Sequence, residues 1–316
     1  MTDKIAIIGC GAIGRPWAIA FARAGREAGL WARDPARLDA ALGLIERQLE
    51  DLAEADLLDG QGPAAVRARI RPETDLAAVL DGAVHVQENL PDRIAIKSAM
   101  FLRLDALAAP DVPIASSTSG IPPSAFTAEV KGRARCLVAH PVNPPHLVPA
   151  VELVPAPWTD PAAVARTRAL MAAIGQMPVL VERETPGFIL NRLQGAVLNE
   201  AFRLVAGGFA SPRDVDAAIK HGLGLRWALM GPFETVDLNC PGGIREFADS
   251  FRAMFAEVAR LQADAKPWPE AAVAAVEGDR RAALPLADIA ARQLWRDRRL
   301  MALIGHRRRA SRELGA

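Results

Sequence analysis

The run Ile5-Ala6-Ile7-Ile8-Gly9-Cys10-Gly11-Ala12-Ile13-Gly14 decides the fold. Four apolar residues make a short strand, and Gly9, Gly11 and Gly14 complete G-x-G-x-x-G directly before a helical pattern from Arg15 to Arg23. In that context the first glycine makes a tight turn, the second lets a pyrophosphate approach the backbone, and the third lets strand and helix pack closely. The unpaired N–H groups at the helix N-terminus suit the phosphates. Gly9, Gly11, Ala12, Ile13 and Gly14 are therefore the expected cradle of a dinucleotide.

Outward from this turn, β-prone runs at Gly29–Ala32, Val84–Gln87, Ile114–Ser117, Cys136–Ala139, Val151–Val154 and Pro178–Glu182 alternate with helical spacing, as in Pro35–Leu52, Asp92–Leu107 and Pro161–Ile174. Strands interleaved with helices predict an α/β fold with a Rossmann-type, doubly wound parallel sheet. After Thr185-Pro186-Gly187 the strand signals stop and apolar residues recur at helical spacing through Ile189, Leu193, Val197 and Leu204. Pro186 suits the first turn of a helix, where its missing N–H has no partner to lose. The reading is a dinucleotide-binding domain over 1–184 and an all-α domain over 185–316. Gly60, Gly62 and Pro63 interrupt the pattern of Asp59–Glu73, which reads as an excursion within the first domain.

Composition narrows the function. The chain has 316 residues, enough for two cores, with 38 Lys+Arg against 37 Asp+Glu and a formal net charge of +1. Such a balance gives no general attraction for nucleic acid or an anionic membrane. The arginine-rich stretch Arg296 to Arg312 reads as a helix ending in solvent. Cys10, Cys136 and Cys240 are far apart, without a CxxC pair, so neither a disulfide framework nor a metal site is expected. No window reaches the ~18 apolar residues of a membrane span, and the protein reads as cytoplasmic. Tyrosine is absent, which excludes dehydrogenase chemistry built on a tyrosine acid.

At the end of the second strand, ~20 residues past the glycines, an Asp or Glu normally accepts hydrogen bonds from the adenosine ribose. Here the run is Leu30-Trp31-Ala32-Arg33-Asp34. With Ala32 in the carboxylate's place, Arg33 favours a 2′-phosphate and thus NADP. In the other reading Asp34 serves the ribose, Arg33 is solvated and the cofactor is NAD. NADP is slightly preferred.

Transfer of hydride from an alcohol needs a group that takes the hydroxyl proton. His140 ends an apolar strand before Pro141, and strand ends are where ligands lie in such sheets. Glu152, inside the apolar run Val151-Glu152-Leu153-Val154, needs a partner, because an unpaired carboxylate there is costly. His140 and Glu152 make an acid/base dyad in which the carboxylate fixes the imidazole tautomer. His146 is a rival histidine in the proline-rich loop; His85, His221 and His306 have weaker contexts. The hydroxyls of Ser116 to Ser119 either hold a substrate oxygen or make a simple turn. Asn191, among apolar residues, needs polar partners or a cleft between domains.

These residues carry a resemblance. Gln87-Glu88-Asn89, SSTSG at Ser116–Gly120, AHPVNPP at Ala139–Pro145, ETPGFILNRLQ at Glu184–Gln194, GLGLRWALMGPFET at Gly222–Thr235 and QLWRD at Gln293–Asp297 resemble the 3-hydroxyacyl-CoA dehydrogenase superfamily, nearest its lambda-crystallin / L-gulonate 3-dehydrogenase group. The resemblance implies His140 and Glu152 as the catalytic pair, Ser119 and Asn191 against the substrate, and Glu88 near the nicotinamide. It also implies a homodimer formed through the helical domain. AHPVNPP favours a small free hydroxy acid, of the L-gulonate kind, over a thioester. Arg226 either pairs with a substrate carboxylate, in its own or the neighbouring subunit's site, or forms a structural ion pair. Kindred readings are a 3-hydroxyacyl-CoA or carnitine dehydrogenase. A reading of another class is a non-catalytic crystallin-like or dinucleotide-sensing protein.

Overall fold

The computed structural model describes residues 3–263 and 268–315. Eight strands form one sheet: β1 (Lys4–Ile8), β2 (Glu27–Trp31), β3 (Ile70–Glu73), β4 (Ala83–Glu88), β5 (Ile114–Ser116), β6 (Cys136–Pro141), β7 (Ala150–Pro155) and β8 (Met177–Leu180). Their order is β3-β2-β1-β4-β5-β6-β7-β8, with helices on both faces. Ile5 and Ile7 enter the core on one side while Ala6 and Ile8 enter it on the other, the period-2 alternation of a strand buried on both faces. The helix Pro35–Glu54 buries Leu38, Ala41, Ile45, Leu49 and Leu52 at helical spacing, and Asp34 caps it by accepting from the Ala36 N–H at 3.0 Å.

The sheet departs from the sequence reading in two ways. The excursion at Asp59–Glu73 holds the helix Pro63–Arg67 and the edge strand β3, whose Pro72 sits opposite Leu30. Proline is tolerated there because an edge strand has one side without a ladder. Second, the sheet is not wholly parallel: β7 runs antiparallel to β6, and β8 follows β7. Only residues 142–149 join β6 to β7, too few for a parallel crossover, which takes a dozen or more.

The chain divides into two compact units, one running to Arg192 and resuming at Ala291, the other covering Leu193–Ala290. The first unit thus takes back the final helix, Ile289–Leu314, which the sequence reading left with the helical half. The end of that helix, from Ser311 to Leu314, is exposed as the sequence suggests, but its middle packs on the first unit. Met301 is buried in the same apolar cluster as Leu57 and Leu58, with Leu300 and Ile304 packed against it. Arg298 pairs with Asp51 at 2.7 Å and Arg308 with Asp59 at 2.9 Å. The second unit is helical throughout its described residues, and its longest helix, Gly243–Gln262, buries no residue.

Candidate active site

The glycine turn is built as its sequence demands. Gly9 has φ +106°, a conformation open to glycine and rare for other residues. A Cβ on Gly14 would lie 1.8 Å from the Gly9 carbonyl oxygen, whereas a Cβ on Gly11 would meet nothing within 4 Å. Gly9 and Gly14 therefore close the turn, and Gly11 faces open space. The helix Gly14–Arg23 has no side-chain cap and no acidic residue in its first turn, which leaves its N-terminal donors for an anion. These residues fit a dinucleotide pyrophosphate.

At the end of β2, Ala32 is nearly buried while Arg33 and Asp34 are exposed. The Asp34 carboxylate caps the following helix. Arg33 has no hydrogen bond or ion pair among the described residues.

The reversal of the sheet at β7 sets His140 directly opposite Glu152. Paired residues of an antiparallel ladder share a face, and the His140 Nδ1 lies 2.7 Å from the Glu152 Oε2. Glu152 is wholly buried and His140 is 7% exposed. The second carboxylate oxygen, Oε1, accepts the N–H groups of Ile189 at 2.7 Å and Leu190 at 2.9 Å. Those donors belong to the start of the helix Leu190–Ala206, where a negative charge meets the positive end of the helix dipole. Glu152 is thus satisfied as an anion without direct contact with water. The Phe188 ring covers the imidazole with centroids 5.7 Å apart, and Phe188 itself holds φ +53°, a costly conformation for a bulky residue. Among the described residues the His140 Nε2 has no hydrogen-bond partner.

Asn191 follows these donors, and its Nδ2 donates to the backbone oxygen of Ser119. Ser119 is exposed, its N–H donating to Asp92 Oδ2 at 3.0 Å, and the Gly187 N–H reaches the Gly120 oxygen at 3.3 Å. His140, Glu152, Asn191 and Ser119 are thereby brought into one connected cluster. Burial pushes the Asp92 carboxyl up, but the Ser119 N–H, Thr118 and Lys97 outweigh it and hold the group below its usual value.

Glu88 ends β4, the strand that pairs with β1 beside the glycine turn. It is wholly buried, and its carboxylate binds Lys97 Nζ at 3.0 Å, the Ser116 hydroxyl at 2.6 Å and the Leu90 N–H at 2.6 Å. Through the Leu90 N–H the side chain also fixes the start of the loop that follows β4. Lys97 completes this network with a second bond to Ser116 at 3.2 Å, a role missed from the sequence. Its one signal is a cation inside the otherwise apolar start of the helix Ile94–Leu107. A second buried network was also missed: Gln87 Nε2 donates to the Ser117 hydroxyl at 2.7 Å, which the Trp17 Nε1 reaches at 3.1 Å. Beside it the His85 Nε2 lies 3.1 Å from Gln87 Oε1, and burial pushes the imidazole pKa down to about 4, so His85 is a neutral structural residue. Arg226 lies in the second unit, on the short helix Gly224–Trp227, with Asn239 Oδ1 as a distant partner at 3.4 Å.

Residues 4–185 match the model of the 3-hydroxyacyl-CoA dehydrogenase NAD binding domain, and residues 187–283 that of the 3-hydroxyacyl-CoA dehydrogenase C-terminal domain. The chain belongs to the 3-hydroxyacyl-CoA dehydrogenase family. As a member it is an NAD-dependent-type oxidoreductase whose first unit binds a nicotinamide dinucleotide. Among its relatives, the lambda-crystallin homolog of Bos taurus is 41% identical over 95% of this chain and 94% of its own. The L-carnitine dehydrogenase of Streptomyces griseus is 39% identical over 78% of this chain and 73% of its own. A solved structure of 5-formyl-3-hydroxy-2-methylpyridine 4-carboxylic acid 5-dehydrogenase, described as an NAD+ dependent dismutase, superposes with a TM-score of 0.82 at 28% identity, covering 96% of this chain and 97% of that one. No helix of the described residues is long and apolar enough to cross a membrane, and none of their His, Cys, Asp and Glu side chains form a metal-binding group.

Proposed function

We propose that this family member oxidises the 3-hydroxyl of a small free hydroxy acid, of the L-gulonate kind, to the 3-oxo acid, with His140 and Glu152 as the acid/base pair. The observation that carries the reading is the 2.7 Å bond between His140 Nδ1 and a buried Glu152 whose other oxygen is anchored by two backbone donors. Because Nδ1 holds its proton toward the carboxylate, Nε2 carries the lone pair that takes the hydroxyl proton. The buried carboxylate then stabilises the imidazolium. Ser119 and Asn191 hold the reacting oxygen as negative charge grows on it. When bound along Gly9–Gly14, the nicotinamide dinucleotide supplies the hydride acceptor.

A 2′-phosphate on that dinucleotide is favoured by the methyl of Ala32, the free guanidinium of Arg33 and the use of Asp34 as a helix cap. Arg226, exposed and weakly partnered, is the proposed partner of the substrate carboxylate. Similarity to an L-carnitine dehydrogenase supports a small acid, while an equally similar 3-hydroxyacyl-CoA dehydrogenase makes the thioester the reading to test against it. The exposed Phe251, Met254, Phe255 and Val258 of the helix Gly243–Gln262 support a homodimer through the second unit. Three free thiols suit the reducing cytoplasm.

The test is a spectrophotometric screen of 3-hydroxy acids, carnitine and 3-hydroxyacyl-CoA thioesters with NAD and NADP in parallel. Turnover of a free acid, lost in His140→Ala with cofactor affinity kept, is the expected result. Turnover of thioesters alone refutes the substrate class. Cofactor binding without turnover of any of them refutes the catalytic reading in favour of a crystallin-like scaffold.

A further inference from the structure

A second cavity, of about 430 Å³, shares no residue with the glycine cradle or the His140–Glu152 pair. Its walls include Arg23, Arg307, Arg308, Arg312, His146 and Gln176, all in the first unit, and no carboxylate lines it among the described residues. Arg308 is held by Asp59 at 2.9 Å and Arg23 by the Leu57 oxygen at 3.5 Å. Arg307 and Arg312 are exposed and form no ion pair among the described residues. Four guanidinium groups around one concavity repel each other, and an anion between them removes that repulsion.

His146 supplies an independent observation. It is 2% exposed, lines the cavity, and neither ring nitrogen has a partner among the described residues. Buried polar groups are nearly always bonded, so an unpaired one needs an explanation. Burial and the neighbouring Arg23 and Arg296 push its pKa down to about 3, which keeps the ring neutral with one donor and one acceptor. Gln176, also buried, donates to the Pro145 oxygen at 2.9 Å and leaves its Oε1 without a partner. Arginines for charge, with an imidazole and an amide oxygen beside them, match a molecule that carries anionic groups and a hydroxyl. The volume falls within the roughly 300–1,000 Å³ of small-molecule sites.

We propose that this cavity binds a compact polyanion bearing phosphate or carboxylate groups and a hydroxyl, which ties the loop between β6 and β7 to the C-terminal helix. His146 lies in residues 142–149, the same loop that joins the strands of His140 and Glu152, so the ligand steadies that connection.

Calorimetric titrations of the full-length protein, saturated with NADPH to fill the dinucleotide cradle, test this with pyrophosphate, citrate and tricarballylate at ionic strength matched with NaCl. Saturable one-to-one binding of pyrophosphate or citrate is expected, weakened about tenfold or more by the double variant Arg307→Ala, Arg312→Ala. These two side chains are exposed and unpaired and only repel their neighbours in the empty cavity, so the variant's melting temperature without ligand stays at or slightly above the wild-type value. Tighter pyrophosphate points to a phosphorylated ligand and tighter citrate to a polycarboxylate. Citrate exceeds tricarballylate, which lacks the hydroxyl, and the difference disappears in His146→Leu. Absence of saturable binding, or binding that the double variant leaves unchanged, overturns the proposal, and equal binding of citrate and tricarballylate overturns its hydroxyl part.

Discussion

Replacing Glu152 by Gln keeps nearly the same volume and removes one negative charge, which isolates what the carboxylate does. Its Oε1 accepts from Ile189 and Leu190 while its Oε2 faces His140 Nδ1 at 2.7 Å. An amide has one acceptor oxygen for these three contacts. With that oxygen on the two backbone donors, the NH₂ group faces Nδ1, which must then accept, and the imidazole proton moves to Nε2. The opposite orientation sets the NH₂ against two buried N–H groups, at roughly 1–3 kcal/mol for each donor left unpaired. The first orientation therefore wins by about 2–6 kcal/mol, and Nε2 offers a proton where the proposed reaction needs a lone pair. The expected kcat falls about 10³- to 10⁴-fold, the size of effect seen when a catalytic histidine is held in the wrong tautomer. Exchange of charge-assisted for neutral bonds at the helix start lowers stability by about 2 kcal/mol. Initial rates at 340 nm give kcat, fluorescence titration gives cofactor affinity, and melting curves give stability. A Glu152→Gln enzyme with kcat within about tenfold of wild type, or with cofactor affinity reduced as much as kcat, would refute the reasoning.

The remaining expectations rest on other parts of the molecule. Lys97→Met leaves Glu88 buried without its cation and lowers stability by about 3–5 kcal/mol, read from the urea midpoint; adding Glu88→Gln recovers part of the loss, and a double variant no better than the single one contradicts the pairing. Gly14→Ala destabilises the fold because its Cβ would lie 1.8 Å from the Gly9 oxygen, whereas Gly11→Val keeps the melting temperature and loses cofactor affinity; equal melting temperatures for the two variants refute this division of roles. His85 has its pKa lowered from 6.5 to about 4 in the folded chain, so the unfolded chain takes up a proton that the folded one refuses. Stability is lost as pH falls from 6.5 to about 4, on the order of 3 kcal/mol, and His85→Gln flattens that part of the melting curve against pH. Arg33→Ala raises KM for NADP about tenfold or more while leaving NAD nearly unchanged, and equal effects on both cofactors exclude contact with a 2′-phosphate.

Much of this was readable from residue order alone. The glycine turn and the helix Pro35–Glu54 follow from local rules, since glycine spacing, a capping aspartate and apolar periodicity act within a few residues. β3 was hidden because Pro72 breaks the strand pattern, and only its place at the sheet edge makes the proline acceptable. Burial of Glu152 in an apolar run, and of His140 before a proline, marked both residues. Alternation carries no strand direction, however, so the antiparallel rung that sets one opposite the other came from the structure. The backbone donors at Ile189 and Leu190 lie 37 and 38 residues from Glu152 and leave no sequence trace. Glu88 was placed at the cofactor by resemblance, and the Lys97 pair that encloses it depends on a contact between a strand and a helix. The Arg296–Arg312 stretch looked solvated by composition, because a helix can pack through a narrow stripe holding Met301, Leu300 and Ile304 while showing arginine elsewhere.

Return of the final helix to the first unit has a consequence for biosynthesis. Met301 fills a place beside Leu57 and Leu58 that chain made more than two hundred residues earlier has already prepared. A ribosome therefore makes more than two hundred further residues after Leu58 before that apolar seam can close, and the nascent Rossmann lobe must wait with it open. Nonsense mutations upstream of this helix then yield a sticky fragment rather than a self-sufficient cofactor-binding module.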